Sequence, residues 1–170
     1  MAISGSLRAA SSNSRLVEAL AQVAPHGIDV RIYRGLRALP HFDLDLDGET
    51  PPPEVAELRR EVGAAKGLII CSPEYAHGVP GSLKNALDWL VPSLEFPGKP
   101  VALIATSAHA RFAPAQLRET LATMSGDVIE AASITMPLGP EVSTQDILDD
   151  PARAGALRSA LLSMAGAVEA

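Results

Sequence analysis

The sequence predicts an α/β protein built on a five-stranded parallel sheet in the order 2-1-3-4-5, with helices on both faces. Three observations point there. Short aliphatic runs such as Gly67-Leu68-Ile69-Ile70-Cys71 are too brief for helices and apolar at every position, as strands buried on both faces are. Stretches with apolar residues at helical spacing alternate with these runs, and right-handed crossovers turn that alternation into a parallel sheet. Aromatics make up only 4% of the chain against 47% hydrophobic residues, which favours aliphatic strands covered by Ala-rich helices.

The elements follow in order. Residues 2–4 form β1, which stops at Gly5-Ser6-Leu7-Arg8. Leu16, Leu20 and Val23 recur at helical spacing over residues 13–24, giving α1, and Pro25 with Gly27 ends it. Residues 28–33 alternate apolar and polar and predict β2 near a sheet edge, followed by a polar loop over 41–53. Proline is tolerated in a first helical turn, so α2 opens at Pro51-Pro52-Pro53 and runs to Gly67 with Val55, Leu58 and Val62 inward. Residues 67–71 are β3, ended by Ser72-Pro73. Residues 82–90 are α3, whose stripe is Leu83, Ala86, Leu87 and Leu90. Then come β4 (101–106), α4 (114–124), β5 (128–136) and a closing helix over 151–168. At about 3.3 Å per residue Met1 to Ser4 spans about 13 Å, short for a central strand, so the expectation is that either the start is assigned late or the true chain begins upstream.

No internal repeat or linker interrupts the pattern, and 170 residues suit a single domain covering 1–170. Such a chain buries roughly two-thirds of its surface without a metal or disulfide. Charged residues are 20% and the composition is too apolar for disorder, which also excludes collagen, coiled-coil and low-complexity classes. A formal charge of -6 with no Lys/Arg run argues against nucleic acid or an anionic membrane surface as partner. Cys71 is the only cysteine, so no internal disulfide or cysteine metal cluster forms, and the sequence shows no signal segment or membrane span. A cytoplasmic location is expected. His26, His41, His77 and His109 are scattered without ligand spacing, so no metal site is expected either.

In the 2-1-3-4-5 order the switch point lies between β1 and β3, and ligands bind outside the carboxyl ends of those strands. The two most unusual loops fall there. Gly5 to Ser14 offers Ser6, Arg8, Ser11, Ser12, Asn13 and Ser14 at a helix N-terminus, where free N–H groups and the helix dipole attract anions. Arg8 adds a charge-assisted contact and the serines neutral donors, while Asn13 either fixes the loop or donates itself. Plain capping needs one such residue, and five plus an arginine exceed it. No Gly-Lys-Ser/Thr ending, Gly-x-Gly-x-x-Gly pattern, nucleophilic cysteine or acidic cluster accompanies the loop, so it suits holding a phosphate rather than transferring it. The second loop, Ser72-Pro73-Glu74-Tyr75-Ala76-His77-Gly78-Val79-Pro80-Gly81, sets rigid prolines around one of only two tyrosines. Tyr75 can lie against a planar heterocycle, Gly78 allows close approach, and the plain alternative is a long turn with Tyr75 in the core.

Taken together, Gly5-Ser6-Leu7-Arg8-x-x-Ser11-x-Asn13-x-x-Leu16 and Ser72-Pro73-Glu74-Tyr75 running into Gly81-x-Leu83-Lys84-Asn85-Ala86-x-Asp88-Trp89 resemble the NADPH-dependent FMN reductase family, whose fold is flavodoxin-like. The resemblance covers most of the chain. It implies FMN with its phosphate at Ser6, Arg8, Ser11, Ser12, Asn13 and Ser14 and its isoalloxazine along Pro73, Glu74, Tyr75 and Ala76. It implies NADPH as co-substrate, hydride passing by way of the flavin N5 to a quinone, flavin, azo or similar acceptor, and a homodimer or dimer of dimers. A non-catalytic FMN-binding electron carrier or redox sensor is the other reading. No catalytic acid or base is named, because the cofactor supplies the chemistry. The loop after β4 departs from the family. Where relatives often carry glycines against the flavin, this chain has Ser107-Ala108-His109-Ala110-Arg111-Phe112, leaving Ser107 and His109 as its flavin-side residues. His77, His109 and Arg111 flank the crevice and are candidates to meet substrate or the NADPH phosphates. Buried structural roles are favoured for Cys71, and a helix-start or intersubunit role for Glu74. Trp89 suits either core or subunit contact.

Overall fold

The computed structural model describes residues 1–169. Strands run in the order β2-β1-β3-β4-β5, all pairs parallel, as the alternation of elements predicts. β1 (Ala2–Ser4) lies between β2 (Ile32–Tyr33) and β3 (Leu68–Cys71), and β4 (Pro100–Ala105) follows. The edge strand is shorter than the six residues its alternation suggests. Ile28 donates to Pro25 O at 3.0 Å in a turn that uses Gly27 at φ 91°, and pairing with β1 extends only over Ala2↔Ile32 and Ile3↔Tyr33.

The fifth position is also different from a continuous strand. β5 (Asp127–Val128) and β6 (Ile134–Thr135) both pair with β4, and a 3₁₀ turn at Glu130–Ala132 bulges out between them. From Val101 to Ile104 β4 advances three residues while its partner advances from Val128 to Ile134. The Ser133 hydroxyl repairs the gap, accepting from the Leu103 N–H and donating to Ile129 O, both at 3.0 Å. The bulge turns Ala132 fully into the core.

Side chains of β3 alternate between two cores. Leu68 and Ile70 face α2 (Pro53–Ala64), α3 (Gly81–Leu90) and α4 (Phe112–Thr123), where Leu58, Leu87, Trp89 and Leu121 are buried. Ile69 and Cys71 face α1 (Ser12–Gln22), α5 (Thr144–Asp149) and α6 (Pro151–Glu169), with Leu16, Leu20, Leu157 and Leu161. Trp89 is therefore core, its indole N–H donating to Pro40 O at 2.8 Å. The short α5 was not expected. Ser143 and Asp146 start it with a reciprocal capping box. No helix among the described residues is long and apolar enough to cross a membrane.

Candidate cofactor site

The first loop leaves the sheet at Gly5, whose N–H donates to Cys71 O at 2.8 Å. A Cβ here would stand 3.0 Å from Leu83 Cδ2, which accounts for the glycine at the switch point. Ser6 is buried, its hydroxyl accepting from the Arg8 N–H at 3.3 Å and standing 3.5 Å from the Tyr75 hydroxyl. That contact brings the loops after β1 and β3 together. Ser11 caps α1, accepting from the Ser14 N–H at 3.1 Å, and the Ser14 hydroxyl donates to Arg8 O at 3.0 Å. Ser11 and Ser14 thus spend hydroxyls on shaping the loop. Left open to a ligand are Ser12, the first N–H groups of α1 and the exposed Arg8 guanidinium, which has only a 3.5 Å contact to Ala10 O.

The Asn13 amide oxygen turns inward. Its Oδ1 accepts from the Cys71 thiol and the Thr106 hydroxyl, each at 3.2 Å, in a site where all three residues are buried. One amide oxygen therefore ties the start of α1 to the ends of β3 and β4. Burial pushes the Cys71 thiol well up from its ordinary value, which keeps it protonated as that donor.

The loop after β3 is a tight hairpin. The Tyr75 N–H donates to Gly78 O at 3.0 Å and the Gly78 N–H to Tyr75 O at 2.9 Å, with Ala76 at φ 49° and His77 at φ 59° between them. Positive φ at both central residues is what a two-residue hairpin turn requires, here taken up by two residues with side chains. Tyr75 is 56% exposed, so its ring offers a face rather than filling the core. Glu74 Oε2 accepts from the backbone N–H groups of Arg111, Phe112 and Ala113 at 2.9, 2.7 and 2.9 Å. Hydrogen bonds from Ala113, then Phe112 and Arg111, with His77 adding, hold its carboxyl below the ordinary carboxylate range. This cap from another loop explains why α4 starts at Phe112, two residues ahead of Pro114. Around it His77 stacks on Phe112, ring centroids 4.3 Å apart, and Gln116 accepts from the Val79 N–H at 3.1 Å while donating to His77 O at 3.4 Å.

The structure brings Ser6, Arg8, Tyr75 and the hairpin to one crevice, gives the Asn13 oxygen and Glu74 to the framework beside it, and leaves Ser107 and His109 exposed. The Ser107 hydroxyl accepts from the His109 N–H at 3.2 Å, within their own turn. Sequence reading missed Gln116 and Arg37. Gln116 sits at helical spacing from Ala113, a polar residue facing the loop it holds. Arg37, whose Nη2 donates to Leu7 O at 2.7 Å, had no local signal at all.

A parallel sheet in this order, a hydroxyl-rich loop opening α1 and a rigid aromatic hairpin after β3 define a flavodoxin-like α/β protein. The particular family follows from comparison. The profile of the NADPH-dependent FMN reductases matches residues 1–141, and the chain belongs to that family. It is 39% identical over 107 residues to a quinone reductase of Escherichia coli, a match covering 61% of this chain and 56% of that enzyme. The chain thus spans little more than half the length of this relative. An NAD(P)H-dependent FMN reductase of Pseudomonas aeruginosa is 35% identical over 127 residues, covering 71% of this chain and 68% of that one. Among solved structures, the flavoenzyme NAD(P)H:(acceptor) oxidoreductase of Paracoccus denitrificans superposes with a TM-score of 0.78 at 25% identity, covering 99% of this chain and 95% of that one.

Proposed function

We propose that the chain is an FMN-dependent oxidoreductase that uses NADPH to reduce a small acceptor of quinone, flavin or azo type. The observation that carries this reading is the meeting of the two loops at the switch point, through Ser6 and Tyr75. The donor set fits FMN at both ends. A phosphate would be held by the open N–H groups at the start of α1, by Ser12 and by the Arg8 guanidinium, which has no carboxylate partner among the described residues. A flat ring would lie against Pro73 to Ala76, with Tyr75 as its wall and the hairpin's backbone along its edge. When bound, the flavin supplies two-electron chemistry between reduced nicotinamide and the acceptor. The chain's own task is to fix the ring and leave one face open. Glu74 serves that task by latching the hairpin to α4, and its carboxylate is satisfied by three N–H groups rather than free for acid or base work.

Relatives named as quinone reductases support quinones as the leading acceptor class. The reading takes the protein as a homodimer or a dimer of dimers, acting in the reducing cytoplasm. The test is a visible spectrum of the untreated protein followed by NADPH under anaerobic conditions. Flavin absorbance that bleaches on NADPH addition supports the enzyme. A yellow protein indifferent to NADPH and NADH is an electron carrier or sensor, and a colourless one that binds no added FMN refutes the reading. Arg8→Ala is expected to weaken FMN by about tenfold or more and riboflavin hardly at all, since riboflavin lacks the phosphate.

A further inference from the structure

A cavity of about 390 Å³ opens beside the Tyr75 hairpin, and the fold brings to it Arg8 from the first loop, Arg37 from the turn after β2, and Ser82 from α3, with Ser6 and Tyr75 completing its polar lining. No carboxylate lines it. Arg31, Arg34, Arg59, Arg60, Arg118 and Arg153 each face an acidic partner; among the described residues Arg8, Arg15, Arg37, Arg111 and Arg158 face none, and of these only Arg8 and Arg37 line this cavity. In a chain of net charge -6, Arg37 keeps a positive charge on this cavity even with Arg8 given to the flavin phosphate. Arg37 spends one donor on Leu7 O, which tethers it at the rim, and a guanidinium has five. α3 adds to the field. Its N-terminus has no side-chain cap, so the first N–H groups, at Gly81 and Ser82 on the cavity wall, remain available.

We propose that this cavity takes a phosphate group of the reduced nicotinamide dinucleotide and that Arg37 is the residue that selects it. The proposal rests on the reading of the chain as NADPH-dependent. The flavin phosphate is placed at the start of α1, and Arg37 belongs to a different turn that has no part in capping that helix. The cavity borders the hairpin, beside which the donor must lie to reach the flavin, and the Tyr75 ring gives an adjoining surface for a nucleoside to rest on. Two phosphate sources share this chemistry, the pyrophosphate common to both dinucleotides and the 2′-phosphate of NADPH alone.

The test uses the FMN-loaded protein and its Arg37→Ala and Arg37→Lys variants. Steady-state kcat/KM is measured with NADPH and with NADH against one quinone, NADP⁺ and NAD⁺ binding is followed by calorimetry, and FMN affinity is measured alongside. Arg37→Ala is expected to lower kcat/KM for NADPH about tenfold or more, mainly through KM, and to weaken NADP⁺ to match, with FMN affinity unchanged and partial recovery in Arg37→Lys. A loss confined to NADPH and NADP⁺ assigns the 2′-phosphate, and an equal loss with NADH and NAD⁺ assigns the pyrophosphate; either supports the cavity. Unchanged NADPH kinetics and NADP⁺ affinity overturn it, as does an equal fall in FMN affinity, which would make Arg37 part of the flavin site. Failure of the underlying reading shows separately, in wild-type protein that neither dinucleotide reduces.

Discussion

At the scale of single residues, the side chain that does the most with the fewest atoms is Asn13. Its position beside Ser11 and Ser14 suggests a phosphate donor, yet its oxygen accepts from Cys71 and Thr106 in the interior. A buried hydroxyl left without an acceptor is costly, and the amide oxygen meets that need without using the amide's own N–H donors. Asn13→Ala strands the Thr106 hydroxyl and the weaker thiol donor, so urea unfolding is expected to show a loss of about 1–3 kcal/mol. Thr106→Val removes the same interaction from the other side. The double variant should therefore lose less than the sum of the single losses, and strict additivity would show that the two side chains are not coupled.

At the scale of elements, α4 and the Tyr75 hairpin behave as one unit, because the helix takes its cap from Glu74. The carboxyl titrates low in the folded protein, so its stabilisation is complete above the ordinary glutamate value of about 4.3 and is lost as pH falls through the lower folded value. Glu74→Gln keeps an oxygen but loses the charge that favours a helix N-terminus. It is expected to weaken FMN and riboflavin together by several-fold, since it loosens the ring end and spares the phosphate end, and to flatten the acid limb of flavin retention. Asp146→Asn, which removes the charged half of the α5 capping box, serves as the control that should leave both affinities alone. Elements fixed by their own residues were legible in the sequence: β3 and β4 from their apolar runs, α1 and α3 from their stripes, and the switch-point loops from their composition. The capping box Ser143-x-x-Asp146 was legible too, though the expected elements passed over it. What could not be read needed a partner distant in the chain. The true start of α4 depends on Glu74, the break in the fifth strand on Ser133 bonding to β4, and the place of Arg37 on Leu7.

At the scale of the whole molecule, the sheet is a thin partition between two cores that share strands but not helices. Leu68 and Ile70 belong to one side and Ile69 and Cys71 to the other, so a single four-residue strand is buried by both. Losing either helical layer exposes alternate side chains of every central strand to water, which at roughly 25 cal/mol per Å² leaves the other layer on a half-solvated sheet. The two layers are therefore expected to unfold as one cooperative unit. Trp89, the only tryptophan, reports the side of α2, α3 and α4 alone, while far-ultraviolet circular dichroism sums all the helices, including the long α6 on the opposite side. In urea the two signals should trace a single transition with the same midpoint and slope. If helical signal fell first while Trp89 emission held, the layer of α1, α5 and α6 would have to melt off a sheet that survives without it. The strand alternation would then not bind the two halves together.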